Sequence, residues 1–413
     1  MFYGWWIVLA CGWLQTLGAG LFYYGLGNFF LPLTNEFGWS RAMTSSAFSL
    51  YRLQDIFLAP LVGFSFDRLG PRKLIFFGTT LAGIGFVLFS QTQSFAWFIV
   101  SVLVLAAGFS WGIGSIGMAT VANWFVRKRT TALGLVMAGA GLGGMLIAIV
   151  AALIEALGWR TTALISAGAL WAFGWPLAFA VRHRPEDMGL RTDGDPPAAP
   201  SAVADSAKRD VVEASYATSR AVRTRTFWLF AGASGLSMVS QASVMTHAIP
   251  HLASIGQPAT IAASIVAAMT LISILGRIGF GWVGDRVPKK LLLAALLSTQ
   301  VLGLIVFSGA VETWQIALFL LLYAPSYGGA IPLRPSIQAE YFGRSSFGAI
   351  QGVVFACTAA GGMLGPIFAG WMFDTYGSYQ LAFLILAGVN GLAVPATLLM
   401  PNPRRLSHAA AGA

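Results

Sequence analysis

Charged side chains are scarce in this chain of 413 residues. Asp, Glu, Lys and Arg make up 10% of it, hydrophobic residues make up 57%, and the mean hydropathy is +0.73. A soluble protein of this size carries about 25% charged residues. The shortage of charge therefore excludes an ordinary soluble domain and predicts a polytopic protein whose surroundings are the lipid bilayer.

Cysteine and catalytic motifs are also lacking. Cys11 and Cys357 are the two cysteines, and both lie in apolar segments, which indicates neither a disulfide framework nor a metal site. The sequence has no nucleophile–base motif, phosphate-binding loop or zinc-ligand spacing. We therefore expect no enzyme, no cofactor and no metal. The 25 Lys and Arg residues collect in alternate loops, which follows the positive-inside rule and argues against a nucleic-acid partner.

Long apolar stretches are what the chain has in abundance. A helix needs about 20 apolar residues to cross a bilayer. The N-terminus lacks the basic region of a signal peptide, so the first stretch is predicted to be retained as a span. We predict an all-α membrane protein with twelve transmembrane helices in two pseudo-symmetric six-helix bundles, over residues 5–31, 42–66, 72–92, 96–125, 130–154, 160–181, 226–252, 259–283, 289–310, 313–341, 346–370 and 378–400.

The basic residues predict which ends of these spans face the cytoplasm. One side holds only Arg41 and Arg160, beside Glu36, Glu155, Glu312 and Asp374. The other side collects the basic clusters and is predicted to be cytoplasmic, together with both termini. Its members are Arg68, Arg72, Lys73, Arg127, Lys128, Arg129, Arg286, Lys289, Lys290, Arg344, Arg404 and Arg405. We expect a multi-pass protein of the plasma (inner) membrane.

Residues 182–225 differ from the rest because they are rich in Ala, Pro, Ser and mixed charge. They predict a cytoplasmic linker that is partly disordered, in which an amphipathic helix over Val211–Val222 is an open alternative. The predicted domains are a bundle over 1–181, the linker 182–225, a bundle over 226–400 and a tail over 401–413.

A charged motif occurs twice. Gly63 is followed by Asp67 and Arg68, and Gly281, 218 positions later, is followed by Asp285 and Arg286. The same offset carries the Gly-Gly-Met-Leu run at 143–146 onto 361–364 and Leu31-Pro32 onto Ile249-Pro250. Three landmarks in one register predict an internal duplication, with each charged motif at a membrane boundary.

Glycine clusters in the fifth and eleventh spans. The residues are Gly134, Gly139, Gly141, Gly143 and Gly144, and then Gly352, Gly361, Gly362 and Gly365. Small residues at such spacing let helices approach closely. Tight packing alone explains them, and packing that also permits sliding or rocking is the functional alternative.

These features resemble the major facilitator superfamily, above all the motif formed by Gly63, Asp67, Arg68, Gly70, Arg72 and Lys73. The second copy departs from the pattern, with Pro288 and Lys289 where a Gly and a basic residue are usual. The resemblance implies that Asp67 meets the N-terminus of the eleventh helix and Asp285 that of the fifth, where a helix dipole favours an acid. It assigns a conformational role to Gly63, Asp67, Arg68, Arg72, Gly281, Asp285 and Arg286, although a solvated turn with topological charges explains them as well.

Further runs resemble the monocarboxylate porter branch and its relatives, the oxalate/formate-type exchangers. They are Tyr3-Gly-Trp-Trp6, Glu36-Phe-Gly-Trp-Ser-Arg41, the run from Trp124 to Gly134, His247-Ala-Ile-Pro-His251, Gly276-Arg277 and Glu340-Tyr-Phe-Gly-Arg344. In that branch an arginine of the eighth helix binds the substrate anion, and Arg277 matches its position.

Arg277 stands out from the residues alone. It lies eight residues before Asp285, which is about 12 Å along a helix and close to the bilayer midplane. Thr270 and Ser273 share its helical face. A guanidinium pairs bidentately with a carboxylate, so we predict an anion ligand, with a structural arginine as the alternative.

Asp55 and Arg52 lie three apart on the second helix and share a face. Relatives carry an Asp one turn before the arginine, where this chain has Ser273. The 218-residue offset maps Asp55 onto Ser273, so the missing acid occurs in the other half. We hypothesise that Asp55 is the proton-coupling carboxylate and that Arg52 tunes its pKa; a static ion pair is the alternative.

Tyrosine and amide side chains complete the predicted site, with Tyr323 and Tyr327 on the tenth helix and Tyr24 and Asn28 on the first. Tyr23 and Tyr24 are also typical interfacial anchors. His247 and His251 fit an outer gate or interface, or a pH-sensing role. The eleventh helix lacks the Lys of oxalate exchangers; Arg334 is a candidate second cation, expected nearer the cytoplasmic gate.

The favoured function is secondary active transport of a small monocarboxylate, lactate- or pyruvate-like, as proton-coupled symport by alternating access. The expected partners are that anion and a proton, and the expected state is a monomer. A proton-independent organic-anion exchanger is one alternative. A non-transporting sensor or scaffold that signals through the linker is another.

Overall fold

The computed structural model describes residues 2–39, 41–195 and 217–401, apart from the side chains at 41–42, 45–49, 52, 259–260 and 263. Within these residues there are twelve long helices and no strand. We label them α1 (Tyr3–Phe37), α2 (Arg41–Leu69), α3 (Pro71–Ser90), α4 (Phe95–Trp124), α5 (Arg129–Leu157), α6 (Trp159–Ala180), α7 (Arg225–Ser254), α8 (Ala259–Gly284), α9 (Lys289–Ser308), α10 (Thr313–Phe342), α11 (Phe347–Tyr376) and α12 (Gln380–Leu398).

Ten of the twelve helices are long and apolar enough to cross a membrane, over the part of the chain that is described. The other two, α2 and α7, have 29 and 30 residues but carry more polar side chains. On α7 these include the buried Ser234, Ser237, Ser240 and Gln241. The predicted all-α class is confirmed.

The chain divides into two compact units, Met1–Pro197 with Phe347–Val353, and Ala198–Ser346 with Val354–Ala413. The first two turns of α11 thus group with the first unit. The predicted domain bounds stay a prediction. Residues 196–216 of the predicted linker and 402–413 of the tail lie outside the described residues. So does the first half of the proposed amphipathic helix; beyond it, Thr218–Ala221 form a single helical turn.

Four consecutive helices of the two units begin 218 residues apart. The pairs of first residues are Arg41 and Ala259, Pro71 and Lys289, Phe95 and Thr313, and Arg129 and Phe347. The 218-residue offset of the charged motif therefore also separates the first residues of α2 to α5 from those of α8 to α11. Residues 218 apart can be compared as equivalent positions of the two units.

Glycine backbones form the closest helix contacts. A Cβ at Gly139 of α5 would lie 2.2 Å from the carbonyl oxygen of Gly12 on α1. In the second unit a Cβ at Gly361 of α11 would lie 2.4 Å from the carbonyl oxygen of Gly235 on α7. Only glycine permits such an approach, because any side chain would overlap the facing backbone.

Two helices of the first unit are interrupted. In α1 the α-helix ends at Gly18, and a π-helical turn, Ala19–Tyr23, and a 3₁₀ turn, Gly25–Phe29, precede the final α-helical segment Phe30–Phe37. In α4 a turn over residues 113–115 separates Phe95–Gly112 from Ile116–Trp124. Such breaks often mark functional places in helices.

Candidate functional site

Arg277 lies on α8 and is buried in the second unit, with 4% of its surface exposed. One turn earlier Ser273 is fully buried, and its hydroxyl donates to the carbonyl oxygen of Thr270 at 2.6 Å. A buried cation is expensive in a membrane protein and indicates function by default. The Ser273 hydroxyl is engaged with its own helix, and the predicted substrate contacts of Arg277 and Ser273 stay predictions.

The contact between α8 and α10 fixes where Arg277 sits. A Cβ at Gly276 would lie 2.2 Å from the carbonyl oxygen of Pro325, and one at Gly328 would lie 1.9 Å from that of Ser273. The two backbones therefore touch at the residue before Arg277 and again one turn earlier on α8. Such contact leaves little freedom for the helices to shift, so the base of the Arg277 side chain is held on a rigid pair of helices.

Tyr323 and Tyr327 of α10 stack on each other, with ring centroids 6.1 Å apart and ring planes 6° apart. Tyr323 also stacks on Phe319 and is 1% exposed. Its hydroxyl has no hydrogen-bond partner among the described residues. Tyr327 is half-buried. Tyr323 thus belongs to the packed interior, and Tyr327 is the ring of the pair with access to its surroundings.

Arg334 is a second cation inside the second unit. It is half-buried on α10, and its Nη2 donates to the hydroxyl of Ser237 on α7 at 2.7 Å. A separate amide network that the sequence did not predict links Gln241 to Gln300 and Gln300 to the carbonyl oxygen of Ser326. The network ties α7, α9 and α10 together near the two tyrosines.

Asp55 of the first unit accepts a hydrogen bond from the hydroxyl of Ser110 on α4. Its neighbour Gln54 donates to the carbonyl oxygen of Leu103 at 3.2 Å, also on α4. The side chain of Arg52 lies outside the described residues. Asp55 is half-buried, so the predicted acid is held against α4 by a neutral donor.

Tyr24 and Asn28 lie on the irregular part of α1. The Asn28 amide donates to the carbonyl oxygen of Ile147 on α5 at 3.0 Å. Tyr24 is half-buried between the π-helical and 3₁₀ turns, whereas Tyr23 is 57% exposed, as an interfacial ring would be. The structure places both predicted residues where α1 departs from regular geometry and gives Asn28 a packing role.

Asp67 caps the N-terminus of α11. Its Oδ1 accepts from the backbone N–H of Gly348 at 3.0 Å and its Oδ2 from that of Ala349 at 2.9 Å. Gly63 permits the approach, because a Cβ there would lie 1.9 Å from the carbonyl oxygen of Gly348. An acid at a helix N-terminus satisfies unpaired donors and complements the dipole.

The arginines of the two motif copies have the same local structure. Arg68 lies over the ring of Phe64 at 4.2 Å, and Arg286 lies over the ring of Trp282 at 3.5 Å. Both pairs are four residues apart and are 218 residues from each other. Arg72 lies over Phe179 at 4.7 Å. Gly281 is buried within α8 and Asp285 immediately follows its end.

The segment after α6 has an ordered structure that the sequence did not predict. Both oxygens of Asp193 accept backbone N–H groups of the loop before α5: Oδ2 from Val126 at 3.0 Å and Arg127 at 2.9 Å, and Oδ1 from Lys128 at 3.2 Å. Asp193 has a φ of 59°, which Asp tolerates better than most residues. The Asp-Gly pair at 193–194 was the available signal, since such pairs mark turns.

His183 lies in the same segment and packs on the motif. Its ring meets that of Phe66 at 5.1 Å, and a Cβ at Gly70 would lie 3.2 Å from its Nδ1. Burial, and after it the positive charge of Arg184, holds the pKa of the His183 imidazole below its usual value. We refer to Val181–Asp195 as the strap, because it contacts both the α2–α3 loop and the α4–α5 loop.

The two histidines of α7 are engaged with neighbouring helices. His247 contacts the carbonyl oxygen of Pro366 at 2.9 Å and the hydroxyl of Tyr379 at 3.2 Å. His251 is 2% exposed and contacts the carbonyl oxygen of Phe307 at 2.8 Å. His251 is therefore positioned as a packing residue.

The helical architecture and its capped, duplicated motif define a class: a membrane transporter built from two related helical halves. The chain belongs to the Major Facilitator Superfamily, whose family model matches residues 12–324 and 241–413. It is thus a multi-pass integral membrane protein of a transporter family rather than of an enzyme family.

Similar proteins agree with this assignment. Human Monocarboxylate transporter 11 is 29% identical over 395 residues, covering 92% of this chain and 80% of that protein. Mouse Monocarboxylate transporter 12 is 27% identical over 411 residues, covering 93% and 82%. The resemblance to the monocarboxylate branch is confirmed.

Solved structures share the fold. The proton:xylose symporter XylE bound to 6-bromo-6-deoxy-D-glucose superposes with a TM-score of 0.77 at 14% identity, covering 97% of this chain and 96% of that one. The human organic anion transporter MFSD10 (TETRAN) gives 0.68 at 17% identity, covering 94% and 98%. At such identities the likeness is one of fold, and the predicted major facilitator fold is confirmed.

Proposed function

We propose that the protein is a secondary active transporter of a small monocarboxylate, lactate- or pyruvate-like. The observation that carries the proposal is Arg277, a guanidinium 4% exposed on a helix locked to its neighbour by backbone contacts. A guanidinium is the side chain best suited to a carboxylate. The names of the most similar relatives support the same substrate class.

The substrate contacts proposed around Arg277 lie on α8 and α10 of the same unit. Tyr327 supplies an apolar ring and a hydroxyl, and Ser273 and Tyr323 form the packed wall behind it. Tyr24 and Asn28 of α1 stay predicted substrate contacts of the first unit. One anchoring guanidinium, with one polar ring beside it, suits a small acid with a single charge.

Proton coupling is assigned to Asp55, with Arg52 tuning it. The hydrogen bond from Ser110 supports this role, because it holds the carboxylate at a fixed place on α4. Co-transport of a proton with a monoanion avoids moving net charge through a low-dielectric core.

Alternating access is proposed to arise from rocking of residues 1–181 against 226–400, with the linker 182–225 and both termini in the cytoplasm of a plasma (inner) membrane. The cap of Asp67 on α11 supports a bias between the two states, because two charge-assisted hydrogen bonds must break when α2 and α11 part.

Uptake into proteoliposomes tests the function. Radiolabelled L-lactate and pyruvate are offered with an imposed inward proton gradient, and separately with internal unlabelled acid but no gradient. Uptake that needs the gradient supports symport. Uptake that needs only internal acid establishes the exchanger, for which Ser273 in place of an acid is the motivating observation. The alternative of a non-transporting sensor predicts two results. No organic acid in a broader screen is taken up, and deletion of the linker changes contacts with partner proteins.

A further inference from the structure

The tenth helix carries a second cation that the proposed site does not use. Tyr323, Tyr327 and Arg334 fall within about 40° of one another around α10, at 100° per residue. The three side chains therefore form one face in which a guanidinium extends the stacked rings along the helix.

Arg334 has no acidic partner in the described chain. Its one hydrogen bond to protein goes to the neutral hydroxyl of Ser237, and it takes part in no ion pair there. A guanidinium has five N–H donors. Charges inside a membrane protein normally pair with another charge or mark an ion or substrate pathway. The four donors that Ser237 does not engage can bind an anion from outside the fold.

The position of Arg334 differs from that of Arg277 along the helix pair. The backbone contacts just before Arg277 on α8 involve Pro325 and Gly328 of α10. Arg334 follows Gly328 by six residues, which is about 9 Å at 1.5 Å per residue. It lies toward the end of α10 where Glu340 pairs with Lys289, the end of the basic loops. The two cations are therefore attached at different levels of the helix pair.

The helix around Arg334 is also less tightly bonded than a regular helix. Pro332 and Pro335 flank it, and each lacks the N–H that would complete the helical hydrogen-bond ladder. Missing bonds permit local bending. Arg277, by contrast, sits where backbones are in contact. Arg277 therefore lies on a backbone held by contact, whereas the helix that carries Arg334 can bend locally.

We infer that Arg334, with Ser237 and Tyr327, forms a second anion-binding subsite, at which the carboxylate of the transported monoanion binds on the path between Arg277 and the basic end. The inference rests on the proposed function for the identity of its ligand. It assigns Arg334 to the cytoplasmic half of the path and leaves Arg277 as the anchor.

Sided transport measurements test the subsite. The Michaelis constant for L-lactate is measured from each face, using proteoliposomes of known orientation. We expect Arg334→Gln to raise that constant about tenfold from the basic face, the size of one lost charge-assisted hydrogen bond, and to leave the other face unchanged. Arg334→Lys should restore part of the affinity. Arg223→Gln, which removes an exposed arginine of the same unit, is the matched control.

An equal change from both faces, or no change, would overturn the subsite. So would a loss confined to a dicarboxylate such as succinate, because that would place both cations on one dianion. Surface expression and melting temperature are compared in parallel, so that a folding defect of Arg334→Gln is recognised through the Lys variant.

A second measurement needs no transport and separates this inference from the proposed function. Purified protein is melted in sodium formate and in sodium chloride of equal ionic strength. If Arg334 binds carboxylate, Arg277→Gln retains a formate-dependent rise in melting temperature and the double variant with Arg334→Gln loses it. Complete loss in Arg277→Gln alone sinks the subsite. Failure of the parent to carry any monocarboxylate, with formate stabilisation intact, sinks the substrate assignment instead.

Discussion

The two units differ most at one pair of equivalent positions. In the first, Asp55 of α2 accepts a hydrogen bond from Ser110 of α4. In the second, the residues 218 positions later are Ser273 and Gly328, whose backbones touch. One turn further on, Ala59 stands opposite Arg277. The same helix pair thus carries a polar acid in one half and a close crossing beside a cation in the other. The duplicated halves share the arrangement of these helices but differ in the polar residues at the equivalent positions.

Removal of the cation is expected to have the largest effect. Arg277→Gln should lower the uptake of L-lactate at least about 100-fold, because the carboxylate loses a bidentate charged partner. Arg277→Lys should restore only part, since an ammonium lacks the planar fork. Initial uptake rates in proteoliposomes measure this. Uptake near the parental rate in Arg277→Gln would show that Arg277 does not bind the substrate. The proposed functional difference between the two units would then be wrong.

Removal of the acid should separate coupling from transport. Asp55→Asn keeps the size of the side chain but cannot take up a proton, so gradient-driven uptake should fall about tenfold or more while counterflow exchange persists. Ser110→Ala should have a smaller effect of the same kind. The ratio of gradient-driven to exchange flux is the measurement. Intact gradient-driven accumulation in Asp55→Asn would show that the acid is a static partner.

The close helix contacts at glycine can be tested by measuring protein stability. Gly139→Ala places a Cβ 2.2 Å from the carbonyl oxygen of Gly12 and should destabilise the protein by about 1–3 kcal/mol. Gly144→Ala on the same helix is the control, since nothing lies within 4 Å of its Cβ. Melting temperatures in detergent decide. Equal melting of the two variants would mean that α1 and α5 part easily.

The strap belongs to the first unit. Its Asp193 cap should contribute less to stability than the glycine contact between α1 and α5. Asp193→Ala removes the acceptor of three backbone N–H groups before α5 and should lower stability by about 1–2 kcal/mol. Amide hydrogen exchange of Val126 to Lys128 should rise with it. Asp187→Ala, within the same strap, serves as a comparison. Unchanged exchange in Asp193→Ala would show that the loop is held by its aromatic neighbours.

The smallest expected effect is the pH response of His183. Its pKa is lowered in the folded state by burial and by Arg184, against the opposing charges of Asp187 and Glu186. The unfolded state therefore binds the proton more readily, and stability is lost as the pH falls through about 6.5. His183→Gln should flatten the difference in melting temperature between pH 7.5 and 5.5. An identical slope in both proteins would place the responsible group elsewhere.

Sequence patterns predicted the parts of this molecule that depend on composition and spacing. Apolar stretches located the helices, and the Gly63 to Gly281 offset located equivalent positions, because both follow from local periodicity. The depth of Arg277, counted back from Asp285, stays a prediction, whereas its burial is observed. Its role as an anchor stays a prediction, as does the coupling role of Asp55.

Other features depend on contacts between distant segments, and these the sequence did not reveal. The hydrogen bond from Ser110 to Asp55 joins residues 55 positions apart, and the cap of Asp193 on Val126 spans 67. The π-helical turn at Ala19–Tyr23 has no distinct sequence pattern. In each case the structure depends on where two helices or loops meet, which composition does not encode.

The fourth helix of each unit has a consequence for how duplicated proteins diverge. Gly114 and Gly117 lie at the interruption of α4, and the equivalent residues of α10 are Pro332 and Pro335. Glycine weakens a helix through its freedom, and proline does so through its missing donor. The two amino acids act in opposite ways, yet each reduces helix stiffness at equivalent positions of the repeat. A repeat can therefore preserve a mechanical property while no residue that produces it stays the same.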